Sequence, residues 1–104
     1  MPERHPRLRL DDNFASPIRF SLMAALLDGN ELDFVTLVDV LQVGESALSK
    51  SISHLHATGY VATRRGDVGS RPRTWVRSTS RGDRAFAAHL QALQEIVEFG
   101  AQPR

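Results

Sequence analysis

Residues 43–59 read VGESALSKSISHLHATG. Leu48, Ile52 and Leu55 are spaced i, i+4, i+7 and so share one stripe of a helix. At about 100° per residue, Ser46, Lys50, Ser53 and His54 fall on the opposite side, with Ser49 beside them. That outer face carries one cation and small hydrogen-bonding groups, and no bulky apolar residue. Such a face can be pressed against a flat polar surface. Gly59 suits the left-handed position that ends a helix. Gly44 is a permissible N-cap, with Glu45 favourably placed at the positive end. Immediately upstream, Phe34, Leu37, Val38 and Leu41 make a second short apolar stripe, and only residues 42–44 separate the two. Two helices joined so tightly, the second with a small-polar face, predict a helix-turn-helix.

Further upstream, Ser16 followed by Pro17 is a helix start, a capping serine with proline at the first helical position. Ile18, Leu22, Ala25 and Leu26 continue it, and Gly29 closes it. Glu31 and Leu32 are too few for an independent strand but can add one rung to a sheet. Asp33 caps the helix that follows, and Val43 can plug the turn after it. Residues 1–13 hold two prolines, three arginines and two leucines. With no apolar period, they are expected to form a flexible N-terminal arm.

Downstream of Gly59 the period changes from helical to alternating. Residues 60–65 and 73–78 alternate as strands, with Arg73, Trp75 and Arg77 on one side of the second and Thr74 and Val76 on the other. The turn-rich residues 66–72, GDVGSRP, join them as a loop. The result is a β-hairpin with a basic tip. A further helix opens at Thr79 or Ser80 and runs towards Phe99, with Phe86, Leu90, Leu93 and Val97 on one seam. The expected fold is mainly α with a small β-hairpin, an α+β winged helix-turn-helix in the order α-β-α-α-β-β-α.

The 104 residues suffice for one domain with one core. Within it, residues 1–13 would be the arm, 14–78 the winged core, and 79–104 a dimerisation helix and tail. The chain has no cysteine, which removes disulfides and cysteine-ligated zinc. There is neither a membrane-length apolar run nor a signal-peptide core, so a cytoplasmic protein is expected. The formal net charge is only +1. Its distribution says more: residues 45–81 contain seven Lys or Arg against two acids, a local excess of +5. Such asymmetry points to an anionic partner for one face.

Catalytic readings are weak. His54 and His56 would point about 200° apart on a helix and cannot chelate one metal. No nucleophile elbow or phosphate-cradling glycine loop occurs. No enzyme activity, cofactor or metal site is expected.

Several short stretches also resemble one group of proteins. Ser16-Pro17 with Arg19, the run Leu48-Ser49-Lys50, then His54-Leu55 and Thr58-Gly59-Tyr60-Val61 are similar to MarR/ArsR-type bacterial regulators, closest to their short winged-helix variants. Arg71-Pro72-Arg73-Thr74 and residues 78–82 resemble that group's wing and helix entry. The resemblance runs from Phe14 to about Val97 and implies a transcriptional regulator.

The residues themselves point the same way. A recognition helix enters the major groove and reads base edges, and Ser46, Ser49, Lys50, Ser53 and His54 are the candidates for this. Arg64, Arg65, Arg71 and Arg73 surround the wing tip, where permanently charged planar donors suit phosphates or a narrow minor groove. Trp75 is expected to pack on the core or on arginine stems rather than on a base. Leu90, Leu93, Ile96 and Val97 would extend beyond the body and join a second copy. The expected function is a sequence-specific regulator, a dimeric repressor on a palindromic double-stranded operator, with any small-molecule effector unknown. The alternatives are a winged-helix module for protein–protein contact and an architectural binder with little sequence preference.

Overall fold

The computed structural model describes residues 4–69 and 71–101. Its elements are α1 (Pro17–Ala25), β1 (Glu31–Asp33), α2 (Phe34–Leu41), α3 (Glu45–Ala57), β2 (Val61–Val68), β3 (Arg71–Ser78) and α4 (Ser80–Ala101). This is the expected winged helix-turn-helix order. The helix starts follow local chemistry. Ser16 accepts from the Arg19 amide ahead of Pro17, and Asp33 accepts from the Thr36 amide. The turn between α2 and α3 is closed by Gln42 in the left-handed region, at φ 53°. Gly59, at φ +82°, ends α3 as its sequence predicts.

The three strands form one antiparallel sheet in the order β1-β3-β2. Glu31, Leu32 and Asp33 lie opposite Arg77, Val76 and Trp75, so the single rung is real. Register places Leu32, Val61 and Val76 on the inner face of the sheet. They join a core of Leu22, Met23, Leu26, Leu37, Leu48, Leu55 and Phe86. That core fixes α3 by its buried stripe, Leu48, Ile52 and Leu55, and leaves the opposite face outside.

Two expectations change. The hairpin strands run through Val68 and from Arg71, with Val68 opposite Arg71. The wing is therefore longer and its loop much shorter than residues 66–72; of that loop, Ser70 lies outside the described residues. Glycine at 69, at φ +64°, permits so tight a reversal.

The second change concerns residues 4–13, expected as a flexible arm. They form a 3-10 turn, Pro6–Arg9, and the start of another, Asp12–Phe14. The first packs along α4. Its anchors are specific: the Asp11 amide donates to His89 Nδ1 at 3.0 Å, and Arg9 pairs with Glu95 at 2.9 Å. The His5 ring meets the Phe99 ring edge-on. Turns of three or four residues carry no period, so the pattern that reveals helices could not reveal these. Residues 1–3 of the expected arm and 102–104 of the expected tail lie outside the described residues.

Candidate nucleic-acid interface

On α3, Ser46, Ser49, Lys50, Ser53 and His54 are all exposed. They share the side turned away from the buried Leu48, Ser51, Ile52 and Leu55. Four of the five project without a described hydrogen bond that fixes them. His54 differs, because its Nε2–H donates to Asn13 Oδ1 at 2.8 Å. The end of α3 is thus tied to the N-terminal segment. The Tyr60 hydroxyl, three residues beyond α3, donates to Asp11 Oδ2 at 2.6 Å.

The four wing arginines fall into two pairs. Arg64 forks onto Glu31, with its Nη2 2.6 Å from Oε1 and its Nε 3.0 Å from Oε2. Its guanidinium also lies 5.3 Å from the Trp75 ring centre. Hydrogen bonding from Arg64 holds the Glu31 carboxyl below its ordinary value. Arg73 pairs with Asp33, whose side chain is almost wholly buried. The Asp33 carboxyl also sits low, held first by the Thr36 side chain and then by Arg73, against the opposing effect of burial. These two arginines therefore bolt the wing's base to β1 and to the start of α2. Arg65 and Arg71 are exposed and carry no described ion pair; Arg65 makes one long bond, to the Thr74 hydroxyl at 3.3 Å. Trp75 packs against an arginine rather than standing free, as expected.

Register explains the pairing of Arg64 and Arg73 and sets Arg65 apart, whereas Arg71 shares their face but stands opposite Val68, beyond the end of β1. Arg64 lies opposite Trp75, and Arg73 opposite Gly66, on the same outer face of the sheet as Glu31 and Asp33. Arg65, one residue on, points the other way. A Cβ on Gly66 would come within 2.8 Å of the Arg64 guanidinium and 3.2 Å of the indole. Glycine at that position is what lets both lie flat. The sequence signal for this arrangement was available: two acids at i and i+2 on a strand rung, beside a hairpin with arginines at alternate positions.

Helix α4 is attached at its start by a close backbone approach. The Thr79 hydroxyl donates to the Gly59 carbonyl at 2.7 Å and accepts from the Gly82 amide. Further along, Phe86, His89 and Ala92 are buried. Leu90, Leu93 and Val97 are 38%, 37% and 72% exposed, while Ile96 is half-buried. The apolar stripe beyond the body is therefore led by three of the four expected residues. Among the described residues no group of His, Cys, Asp or Glu could hold a metal ion, and no helix is long and apolar enough to cross a membrane.

A family profile for the winged helix DNA-binding domain matches residues 18–97. No curated protein matches the chain significantly. Among solved structures, the transcriptional regulator homologue from Pyrococcus horikoshii OT3 is 25% identical, with TM-score 0.80 over 88% of this chain and 91% of that one. A MarR-family transcriptional regulator from Enterococcus faecalis V583 is 23% identical, with TM-score 0.73 over 92% of this chain and 84% of that one. The adhesin competence repressor of Streptococcus pyogenes shares the fold at 18% identity and TM-score 0.62, over 81% of this chain and 61% of that one. The family profile spans most of the chain, which therefore belongs to the winged helix DNA-binding domain family, and its fold is shared with transcriptional regulators that include one of the MarR family.

Proposed function

We propose that the protein is a dimeric repressor that reads a palindromic duplex operator. Helix α3 enters the major groove, with Ser46, Ser49, Lys50 and Ser53 at base edges or phosphates and His54 at the groove's rim. The exposed small-polar face of α3 is the observation that carries this reading, because it offers donors and acceptors with no side chain large enough to hold the helix off the bases. The wing follows the backbone or minor groove, with Arg65 and Arg71 as its contacting cations and Arg64 and Arg73 fastening it to β1. The stripe of Leu90, Leu93 and Val97, with Ile96 at its flank, joins two copies. Repression is favoured because occupying an operator blocks a promoter sterically and requires no further contact surface.

The reading is tested by selecting bound sequences from a random duplex pool and titrating the selected duplex at several salt concentrations. Affinity falls by about 0.9 log unit per neutralised phosphate for each tenfold rise in salt. The selected sequence exceeds random duplex by at least about a thousandfold. A flat salt response excludes DNA as the partner. A steep response without sequence preference leaves an architectural binder.

A further inference from the structure

We propose that residues 11–13 form a strap that positions recognition helix α3, and that His89 holds the strap only while its imidazole is neutral, so that acid loosens the DNA-binding surface. This rests on the reading of α3 as the DNA-contacting helix.

The strap is attached on both sides. Towards α4, the Asp11 amide donates to His89 Nδ1 at 3.0 Å. Towards α3, Asn13 Oδ1 accepts from His54 at 2.8 Å, and Asp11 Oδ2 accepts from Tyr60 at 2.6 Å. The strap is itself stiff. Asp11 Oδ1 accepts from both the amide and the side-chain nitrogen of Asn13, each at 2.9 Å, and Arg19 Nε donates to the Asn13 carbonyl at 2.7 Å. Phe14 then anchors its end among Tyr60, Phe86 and His89. A movement at His89 is therefore passed to His54 through three residues with little slack.

The His89 bond depends on protonation. Nδ1 can accept from an amide only when it carries no proton, so the neutral ring is the Nε2–H tautomer. A proton on Nδ1 turns acceptor into donor and sets two N–H groups against each other. The groups facing His89 are the Asp11 amide and carboxylate and the rings of Phe14 and Phe20. Asp12 and Leu10 line the same open cavity of about 440 Å³ beside the ring. The Asp11 carboxylate favours a cationic His89, but its two oxygens already serve Asn13 and Tyr60. Burial outweighs that attraction and holds the imidazole below its ordinary value. The sign follows. The strapped state binds the proton less well than the released one, so the strap is fully held above about pH 6.5 and loses hold as pH falls through the lowered value.

The expected pH response runs against the usual one. Acid adds positive charge to the protein as a whole, which would by itself strengthen attraction to phosphates. A fall in affinity with acid therefore points to release of the strap rather than to surface charge. The test measures binding to a random-sequence duplex pool at constant ionic strength from pH 7.5 to 5.5, together with hydrogen-exchange protection of the Asp11 amide. In the wild type, log affinity falls with acid, with a slope that approaches about one per pH unit, the limit for one linked proton. Asp11 protection falls in parallel. His89→Asn keeps an acceptor near Nδ1 that does not titrate, and shows a flat or rising affinity; His89→Gln serves should the first variant not fold. Asn13→Ala binds more weakly at pH 7.5 and shows no further acid loss, while its Asp11 amide still responds. A wild-type affinity that is flat or rises with acid, or a His89→Asn variant that keeps the fall, overturns the proposal. A wild type that binds no duplex at any pH removes the DNA reading itself, and Asp11 protection alone then decides whether acid releases the strap.

Discussion

Arg71 and Arg73 stand two positions apart on β3, yet they have opposite surroundings. Arg73 is half-buried and paired with the buried Asp33 carboxylate; Arg71 is exposed, with no described partner. Truncation should separate them. Arg71→Ala, like Arg65→Ala, should weaken binding to every duplex alike and lower the salt slope by about one if a phosphate contact is lost. Arg73→Ala should instead lower stability by about 1–3 kcal/mol, because it leaves the buried Asp33 with fewer partners. Chemical denaturation of the variants beside their salt titrations distinguishes these outcomes, and equal salt-slope losses without destabilisation would falsify the division. Gly82 is the other residue whose neighbourhood fixes its identity. A Cβ there would stand 2.1 Å from the Tyr60 carbonyl oxygen. Alanine normally favours a helix over glycine by about 1 kcal/mol, but here the backbone must part to admit it. Gly82→Ala is expected to destabilise by about 1–3 kcal/mol in thermal melts, the reverse of the propensity effect.

At the level of elements, what repetition encodes was legible and what single contacts encode was not. The stripes of α1, α2 and α3 and the alternation of β2 and β3 each place several apolar residues at one period, so each element could be read locally. The rung at Glu31 could be suspected, though not its third residue. The N-terminal turns could not be read, since they are held by Asp11, Phe14 and Arg9 reaching residues far away in sequence. The same limit applies to the interface. The outward face of α3 followed from periodicity, whereas the pairing of Arg64 with Glu31 and of Arg73 with Asp33 required the sheet order β1-β3-β2. The face of α3 can be tested as a reading surface. Ser49→Ala or Lys50→Ala should change which duplex sequences are preferred, by about 1–3 kcal/mol for a lost base contact. Repeating the duplex selection with each variant measures this; equal losses on selected and random DNA would assign these side chains to the backbone instead.

The whole molecule measures 63 × 24 × 21 Å with a radius of gyration of 16.3 Å. A compact chain of this length has a radius of about 13 Å, so much of the protein stands away from its core. Helix α4 accounts for part of this, with 22 residues, or about 33 Å. Its own chain covers one flank: His89 and Ala92 are buried and the first 3-10 turn packs alongside. That cover is wider than the sequence predicts, yet Leu90, Leu93 and Val97 stay exposed on the azimuth that Phe86 directs into the core. A second copy related by a two-fold axis can cover this stripe with its own and hold two α3 helices about 34 Å apart, one DNA turn, as a palindrome demands. Leu93→Glu places a charge at the centre of the stripe without touching α3 or the wing. Sedimentation equilibrium should find the wild type dimeric at micromolar concentration and Leu93→Glu monomeric. The variant's melting curve should show a fold retained, since Leu93 is more than a third exposed within one chain. Its affinity for a single half-site should match the wild type, while its affinity for the full palindrome should fall to that same level. A wild type that stays monomeric at tens of micromolar, or a Leu93→Glu variant that remains dimeric, would place the contact between copies on another face.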